Sequence, residues 1–240
     1  MFLKGWEQTM AHISYSAFKT FKECPNKYKL TYIDGLAKND GSEYTIFGTA
    51  IHEACELKVQ NNELNEVKQF EDAFTREITE FTSKNPTYDQ KLLDEMMEQG
   101  RKLAPLVLPK LKEHFGEFEV IEAEKELLLP LPNYPDMNFK GYIDLVIKTP
   151  DGKYHIIDYK TCSWGWDFEK KTDPIVNYQL TFYKNFFAEM EGVDKDLIET
   201  YFILLKRTAK KDNIEVYRVT SGPRKITNAF TVLNTAVANI

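Results

Sequence analysis

Residues 139–160 read FKGYIDLVIKTPDGKYHIIDYK, and this stretch determines the fold. Two runs of aliphatic and aromatic residues, Phe139–Lys148 and Lys153–Lys160, flank Pro150-Asp151-Gly152, a sequence typical of a tight turn. The pattern predicts two antiparallel strands joined by that turn. A third run, Glu117–Leu131, precedes them and extends the prediction to a three-stranded meander.

The first half of the chain is rich in helix formers. Ser14–Ile33 places aromatic residues at helical spacing and is interrupted at Pro25, which predicts two short helices. A further helix is expected from near Phe47-Gly48 through Glu56, and Asn65–Phe115 has the composition of long helices. Breaks in this helical region are expected at Pro86, Pro105 and Pro109.

Beyond the meander, the periodicity alternates between helix and strand. We expect a helix at Ile175–Met190, strands at Leu197–Lys206 and Ile214–Val219, and a final helix at Arg224–Ile240. This order predicts an α/β protein with a mixed central sheet flanked by helices and a helical N-terminal half. No linker-like stretch divides the sequence, so we expect one domain over residues 1–240. Its parts are a helical region at about 14–115, a sheet core at about 117–220 and a C-terminal helix at about 224–240.

The composition is that of an ordinary globular protein. A net charge of -6 argues against a protein that coats nucleic acid non-specifically, although an enzyme needs only a local basic path to its site. No run reaches the roughly 18 to 20 apolar residues of a membrane span, so we expect no membrane partner. Cys24, Cys55 and Cys162 form neither a disulfide framework nor a metal-binding CxxC pair. We therefore expect an intracellular, cytoplasmic protein in a reducing compartment.

Asp144, Asp158 and Lys160 form a candidate catalytic group. The predicted pairing puts the two aspartates on adjacent strands, and strand alternation puts Asp158 and Lys160 on one face, about 6 to 7 Å apart. Carboxylates suit hard divalent cations, and a neighbouring lysine can orient or deprotonate a water molecule or neutralise charge on a phosphate. In the alternative interpretation, the acids cap strand ends and Lys160 is a solvated strand residue.

Five motifs, in one order along the chain, support the catalytic interpretation. They are Ser14–Tyr28 with its CPNKY ending, Gly48–His52 (GTAIH), Gly141–Asp144 (GYID), Ile156–Thr161 (IIDYKT) and Gln179–Tyr183 (QLTFY). Together they resemble the RecB-type branch of the PD-(D/E)XK nuclease superfamily, whose signature includes GxxxH, GxxD, DYK and QxxxY. The chain is thus similar to the nuclease domains of RecB and AddB and to CRISPR-adaptation nucleases. The resemblance implies a restriction-endonuclease-like core.

The resemblance also implies a metal centre. His52 from the first core helix, the carboxylates of Asp144 and Asp158, and the backbone carbonyl of Tyr159 would bind Mg²⁺ or Mn²⁺. Lys160 would be the catalytic lysine. Without the neighbouring motifs, a single histidine on a helix is more often a hydrogen-bonded structural residue than a metal ligand.

Further roles follow from the same resemblance. Gln179 and Tyr183 lie four residues apart, hence on one helix face, and would either hydrogen-bond a DNA phosphate or support the catalytic strand. A glutamate of the first strand also matches the family pattern. Glu124 resembles it, while Glu122 and Glu126 compete for the match.

An iron-sulfur cluster is not expected. Many RecB-type relatives bind a four-iron cluster through one early cysteine and three cysteines near the C-terminus. Cys24 stands at the early position, but no cysteine follows Cys162, so the four required thiolates are not present in this sequence.

Basic and aromatic residues supply candidate DNA contacts. Lys206 and Arg207 end a predicted strand, and Trp164 and Trp166 follow the catalytic strand directly. Cations could bind phosphates, and the tryptophans could stack on unpaired bases. Alternatively, the cations solvate a surface turn and the tryptophans form a hydrophobic lid. Other cations that could bracket a phosphate track are Lys19, Lys22, Lys27, Lys29, Lys210, Lys211 and Arg218.

We therefore predict a metal-dependent DNA nuclease, and expect an exonuclease that acts on ends or single strands in repair, recombination or phage replication. The alternatives are a structure-specific endonuclease and a catalytically inactive DNA-binding protein of the same fold. DNA is the expected partner. The sequence contains no GxxxxGK[ST] phosphate loop, so any ATP-driven step would come from a helicase or recombination partner.

Overall fold

The computed structural model describes residues 11–36 and 41–240. Helices dominate the first part of the chain and strands the middle. The strands are β1 (Ala11–Ser14), β2 (Glu119–Leu131), β3 (Tyr134–Lys148), β4 (Tyr154–Cys162), β5 (Ile198–Lys206) and β6 (Ile214–Val219). The helices are α1 (Tyr15–Glu23), α2 (Pro25–Tyr28), α3 (Glu43–Gln60), α4 (Glu66–Lys84), α5 (Gln90–Phe115), α6 (Phe168–Thr172), α7 (Pro174–Glu191) and α8 (Pro223–Val237). A π-helical turn, Lys29–Ile33, follows α2, and a short 3₁₀ helix, Lys195–Leu197, precedes β5.

The six strands form one mixed sheet centred on β3. Strand β2 pairs antiparallel with β3 along nearly the whole length of β2, so β2 occupies one edge of β3. The other edge is shared: β4 pairs antiparallel with residues 145–148, and β1 pairs parallel with residues 137–140. Beyond β4 the sheet continues with β5 in parallel and β6 in antiparallel orientation. The predicted α/β fold with a mixed central sheet and a restriction-endonuclease-like arrangement is confirmed.

Helices cover both faces of the sheet. On one face, α1, α7 and α8 pack on strand residues such as Phe139, Ile156 and Phe202. On the other face, α3, α4 and α5 pack on Ile157 and Tyr159. Because side chains alternate along a strand, β4 contributes to both cores. No helix in the described ranges combines the length and hydropathy needed to cross a membrane.

Two features differ from the sequence-based expectations. Helix α5 continues through Pro105 and Pro109, where breaks were expected, whereas Pro86 lies outside the helices as predicted. The prolines lie on the more exposed side of α5, and its opposite side buries a continuous apolar stripe that offsets the lost backbone hydrogen bonds. Strand β1 was not predicted, because its pairing with β3 depends on a partner more than a hundred residues away.

Helices α4 and α5 approach closely at Gly100. A Cβ atom at this position would overlap the ring of Phe70, which is fully buried. Glycine is normally about 1 kcal/mol worse than alanine inside a helix, so its presence here reflects the close contact.

We expect Gly100→Ala to destabilise the protein by about 1 to 3 kcal/mol, because overpacking a rigid core outweighs the gain in helix propensity. Urea denaturation at constant m-value measures the change. Phe70→Leu, which removes the obstructing ring, should recover part of the loss in the double variant. Additive losses from the two substitutions would contradict the proposed contact.

Candidate functional site

The site lies where β3 and β4 part. Their paired residues end at Leu145 and Ile157, and the next residue towards the gap is Asp144 on β3 and Asp158 on β4. The Tyr159 N–H donates a hydrogen bond to Asp144 Oδ2 at 2.6 Å. The Asp144 side chain thus accepts the hydrogen bond that a backbone carbonyl would accept if the two strands stayed paired. Both aspartates are buried, with 9% and 2% exposure. The two acidic residues thus lie on adjacent antiparallel strands, as predicted.

Asp158 is contacted from two sides. Gln179 Nε2, on α7, donates to Asp158 Oδ1 at 2.6 Å. Lys160 Nζ lies 2.5 Å from Asp158 Oδ2, close enough for a strong charge interaction. Within the described residues, no further side chain donates a hydrogen bond to Oδ2, so the Lys160 ammonium is its one close polar neighbour there. This buried oxygen therefore retains capacity for a further ligand.

Gln179 and Tyr183 support the catalytic strand in this structure. Gln179 Nε2 also donates to Tyr183 Oη at 3.1 Å, so the two residues and Asp158 are linked. The Tyr183 ring packs over Gly141, where a Cβ atom would lie 2.9 Å from ring atom Cε1. The glycine of the GYID motif thus makes room for the tyrosine of the QLTFY motif.

Helix α3 brings His52 and Glu56 to the two aspartates. His52 Nδ1 lies 3.5 Å from Asp144 Oδ2. Potential ligand atoms of His52, Glu56 and Asp144 all lie within 4.8 Å of one another. Glu56 was not among the predicted site residues. The signal that could have revealed it is its position four residues after His52, which places both side chains on one helix face.

Glu124 completes the acidic cluster. It lies on β2 between the pairs Ala123–Leu145 and Lys125–Ile143, which places it opposite Asp144. Its φ of 52° lies in the left-handed region, an unfavourable conformation for a residue other than glycine.

The competing glutamates have other partners. Glu122 pairs with Lys125 Nζ at 2.7 Å, and Glu126 accepts a hydrogen bond from Tyr142 Oη at 2.9 Å. Among the three glutamates considered from the sequence, Glu124 is the one beside Glu56.

Burial disfavours charge throughout this cluster. It raises the pKa of Asp144 and of Asp158 to about 6, although the nearby Lys160 ammonium acts in the opposite direction. Burial, followed by the proximity of Glu124, raises the pKa of Glu56 to about 9. Burial and the Lys160 charge lower the pKa of His52 to about 4, so its ring is neutral at pH 7. Without added positive charge, not all of these acids are ionised at pH 7.

A divalent cation fits these residues. Glu56 Oε1 is buried and lacks a hydrogen-bond partner among the described residues, and Asp158 Oδ2 is buried beside the Lys160 ammonium. The neutral imidazole of His52 is in its ligand form. Carboxylate oxygens and an imidazole nitrogen suit Mn²⁺, and carboxylates suit Mg²⁺. The side chain of Tyr159 is fully buried among α3–α5, so only its backbone is available to a ligand here.

The residues predicted to contact DNA differ in their exposure and in their partners within the protein. Trp164 is 72% exposed, whereas Trp166 is 8% exposed and packs on Phe202 with ring centroids 5.0 Å apart. Arg207 donates to Gln99 Oε1 at 2.9 Å. It also stacks on the rings of Tyr44 and Phe47. Lys206 Nζ lies 3.6 Å from Glu215 and its side chain is largely covered. Both cations are therefore engaged by partners within the protein in this structure.

A cleft of about 390 Å³ opens beside Lys160 and Gln179. Helix α1 forms one wall through Tyr15, Lys19 and Glu23. Helix α1 lies here because β1, which leads directly into it, pairs with β3 on the edge shared with β4. The sequence identified Lys19 as a possible phosphate contact but did not predict the cleft.

Comparison with known proteins identifies the family of this chain. Residues 12–240 match the PD-(D/E)XK nuclease superfamily. No curated protein shows a significant match to the chain. The solved structure of a protein called SSO0001 is 16% identical, with a TM-score of 0.37, and the alignment covers 92% of this chain and 86% of that chain. The family match includes both aspartates, Lys160 and His52, and we conclude that this chain belongs to the PD-(D/E)XK nuclease superfamily.

Proposed function

We propose that the protein is a metal-dependent nuclease of the RecB type that hydrolyses phosphodiester bonds in DNA. The observation that carries the proposal is the group at the gap between β3 and β4. There two buried carboxylates, Asp144 and Asp158, adjoin Lys160, whose Nζ atom lies 2.5 Å from Asp158 Oδ2. A structural ion pair would not require the histidine and the two glutamates that also lie at this gap.

Mg²⁺ or Mn²⁺ is the proposed cofactor, held by His52, Asp144, Asp158 and the Tyr159 carbonyl, with Glu56 as an additional ligand. When bound, the cation supplies positive charge for the transition state and makes a water molecule easier to deprotonate. His52 presents a neutral ring, and its contact with Asp144 orients both groups. Gln179 fixes the position of Asp158 through a 2.6 Å hydrogen bond.

Lys160 acts on the reacting groups directly. Its Nζ atom is held 2.5 Å from Asp158 Oδ2, and its side chain remains partly exposed towards the cleft. From this position it orients or deprotonates the attacking water, or neutralises charge on the phosphate. Each of these roles serves the chemical step more than substrate binding.

The proposed substrate is a DNA end or single strand. Trp164 projects from the loop after β4, and an exposed ring beside a catalytic strand suits stacking on an unpaired base. Lys206 and Arg207 remain predicted phosphate contacts, but a substrate would compete for them with Glu215 and Gln99.

The proposed settings are repair, recombination or phage replication, with a helicase or recombination protein as a further partner. The free thiols of Cys24, Cys55 and Cys162 support a reducing, intracellular location.

The metal proposal predicts an effect of Glu56→Gln on stability. With EDTA at pH 7, the variant should melt at least about 2 to 4 °C higher, the shift that 1 kcal/mol produces in a chain of this size. The reason is that the raised pKa of Glu56 makes folding take up a proton between about pH 4.5 and 9, a cost that glutamine does not carry. Thermal unfolding without Mn²⁺ measures this shift, and the same experiment with Mn²⁺ measures the response to metal.

Mn²⁺ should stabilise the wild type and should stabilise Glu56→Gln much less. Glu53→Gln is the matched control, because Glu53 lies on the same helix and pairs with Arg76 at the surface. The control should keep the full Mn²⁺ response. An unchanged Mn²⁺ response in Glu56→Gln would remove Glu56 from the metal site.

The catalytic proposal predicts that Lys160→Ala lowers the cleavage rate at least about 100-fold while DNA affinity stays within a few-fold of wild type. Suitable substrates are end-labelled linear DNA, RNA and covalently closed circular DNA, each with Mg²⁺ or Mn²⁺. Lys148→Ala, on the far part of β3, is the control and should retain wild-type rates.

Retention of more than about a tenth of the wild-type rate would contradict the role of Lys160. Efficient cleavage of the closed circle would favour a structure-specific endonuclease over an exonuclease. If the wild type binds DNA but cleaves no substrate with either metal, the protein is an inactive DNA-binding member of the fold.

The two tryptophans after β4 should respond differently to substitution. Trp164→Ala should weaken single-strand binding by roughly 5- to 150-fold without changing the melting temperature, because stacking is worth about 1 to 3 kcal/mol per base. Trp166→Ala should instead lower the melting temperature, since removing a buried tryptophan costs about 3 to 5 kcal/mol. Fluorescence anisotropy in Ca²⁺ measures the affinity. Wild-type binding by Trp164→Ala would exclude the stacking contact.

A further inference from the structure

The cleft between α1 and α7 has the size of a ligand site. Its volume of about 390 Å³ falls within the roughly 300 to 1,000 Å³ of small-molecule pockets. Lys160 and Gln179 line it, so it adjoins the catalytic group directly. The reaction proposed above assigns no role to the opposite wall, which α1 provides.

The wall formed by α1 is fixed in place. Tyr15 Oη donates to the Ile175 carbonyl at 3.0 Å, which ties α1 to the start of α7. Tyr15, Lys19 and Glu23 follow at four-residue spacing and therefore present one helix face to the cleft. A ligand entering here meets a preformed surface.

Two cations in the cleft are available to an anion. Lys19 Nζ lies 3.7 Å from Glu23 in an ion pair whose two side chains are about half exposed, and such pairs contribute little. Lys170 Nζ lies 4.9 Å from the ring centroid of Trp166, and no carboxylate of the described chain lies within ion-pair distance of it. Lys160, by contrast, is engaged by Asp158.

Gln179 offers a third point of recognition. Its amide nitrogen donates to Asp158 and Tyr183, which fixes the orientation of the amide group. In the described part of the chain, the hydrogen bonds of this side chain are made by the amide nitrogen, and Gln179 lines the cleft. An acceptor beside two ammonium groups suits a ligand that combines an anion with N–H or O–H donors.

A nucleotide has this combination of groups. We propose that the cleft binds the nucleotide unit next to the cleaved bond, with Lys19 and Lys170 contacting its phosphate and Gln179 accepting a hydrogen bond from its sugar or base. The inference rests on the proposed nuclease function and adds a substrate subsite to it. Tyr15 and Val176 then provide apolar walls for the nucleoside.

The test compares Lys19→Ala, Lys170→Ala and the double variant with Lys22→Ala. Lys22 lies on the same helix, is exposed and does not line the cleft, so it controls for general charge loss. Binding of fluorescein-labelled oligothymidylate is measured in Ca²⁺ over a range of salt concentrations. Thymidine monophosphate and thymidine serve as competitors, because they differ only in the phosphate.

The double variant should bind the oligonucleotide about tenfold more weakly. The slope of log affinity against log salt should become shallower by about 0.7, the value for one phosphate contact on a single strand. Wild type should prefer thymidine monophosphate over thymidine, and the double variant should lose that preference. In cleavage assays KM should rise while kcat stays within about twofold of wild type.

The inference is wrong if the double variant keeps the wild-type affinity and salt slope, or if Lys22→Ala loses as much affinity. Either result leaves the proposed function intact, because cleavage and its dependence on Lys160 are measured separately. If the wild type neither binds nor cleaves any oligonucleotide, the proposed function fails and the subsite fails with it. Melting temperatures of all variants exclude a folding defect.

Discussion

The hydrogen bond from the Tyr159 N–H to Asp144 is the interaction on which the site depends. Two antiparallel strands that separate would leave unpaired backbone groups, and a buried N–H without a partner is costly. The Asp144 carboxylate accepts this N–H at 2.6 Å, so the strands can part without that penalty. The gap that results lets Lys160 line the cleft and leaves room on β3 for β1.

The electrostatics of the site follow from the same gap. Asp144 and Asp158 lie between helices on both faces of the sheet, where water is largely excluded and carboxylates ionise reluctantly. Lys160 supplies one compensating charge, which is less than the acids of this cluster would require if all were ionised. The imbalance is costly in the isolated protein, but it creates affinity for a divalent cation. In the proposed function, metal binding and catalysis therefore depend on the same buried acids that limit stability.

Local sequence patterns predicted much of this arrangement, and long-range contacts account for what they missed. The turn at Pro150-Asp151-Gly152 was sufficient to pair the strands of Asp144 and Asp158. The proximity of Glu56 to Glu124 depends on how α3 packs against β2, and no local pattern reports such packing. Likewise, the sequence around Trp164 and Trp166, which are separated by one residue, does not indicate that only Trp166 is buried. In helix α5, a local rule predicted breaks that do not occur. Burial of its apolar stripe keeps the helix continuous through two prolines.

The pairing of β1 with β3 has a consequence for the order of assembly during synthesis. Ala11–Ser14 leaves the ribosome early, but its partner residues 137–140 are made more than a hundred residues later. Contacts at this sequence separation are slow to form, because a long loop must close first. The edge of β3 beside the active site, and the helix wall that β1 positions, are therefore completed only after most of the chain has emerged. The cleft beside Lys160 is lined by residues from Tyr15 to Gln179, so a nascent chain completes it only after much of α7 has been made.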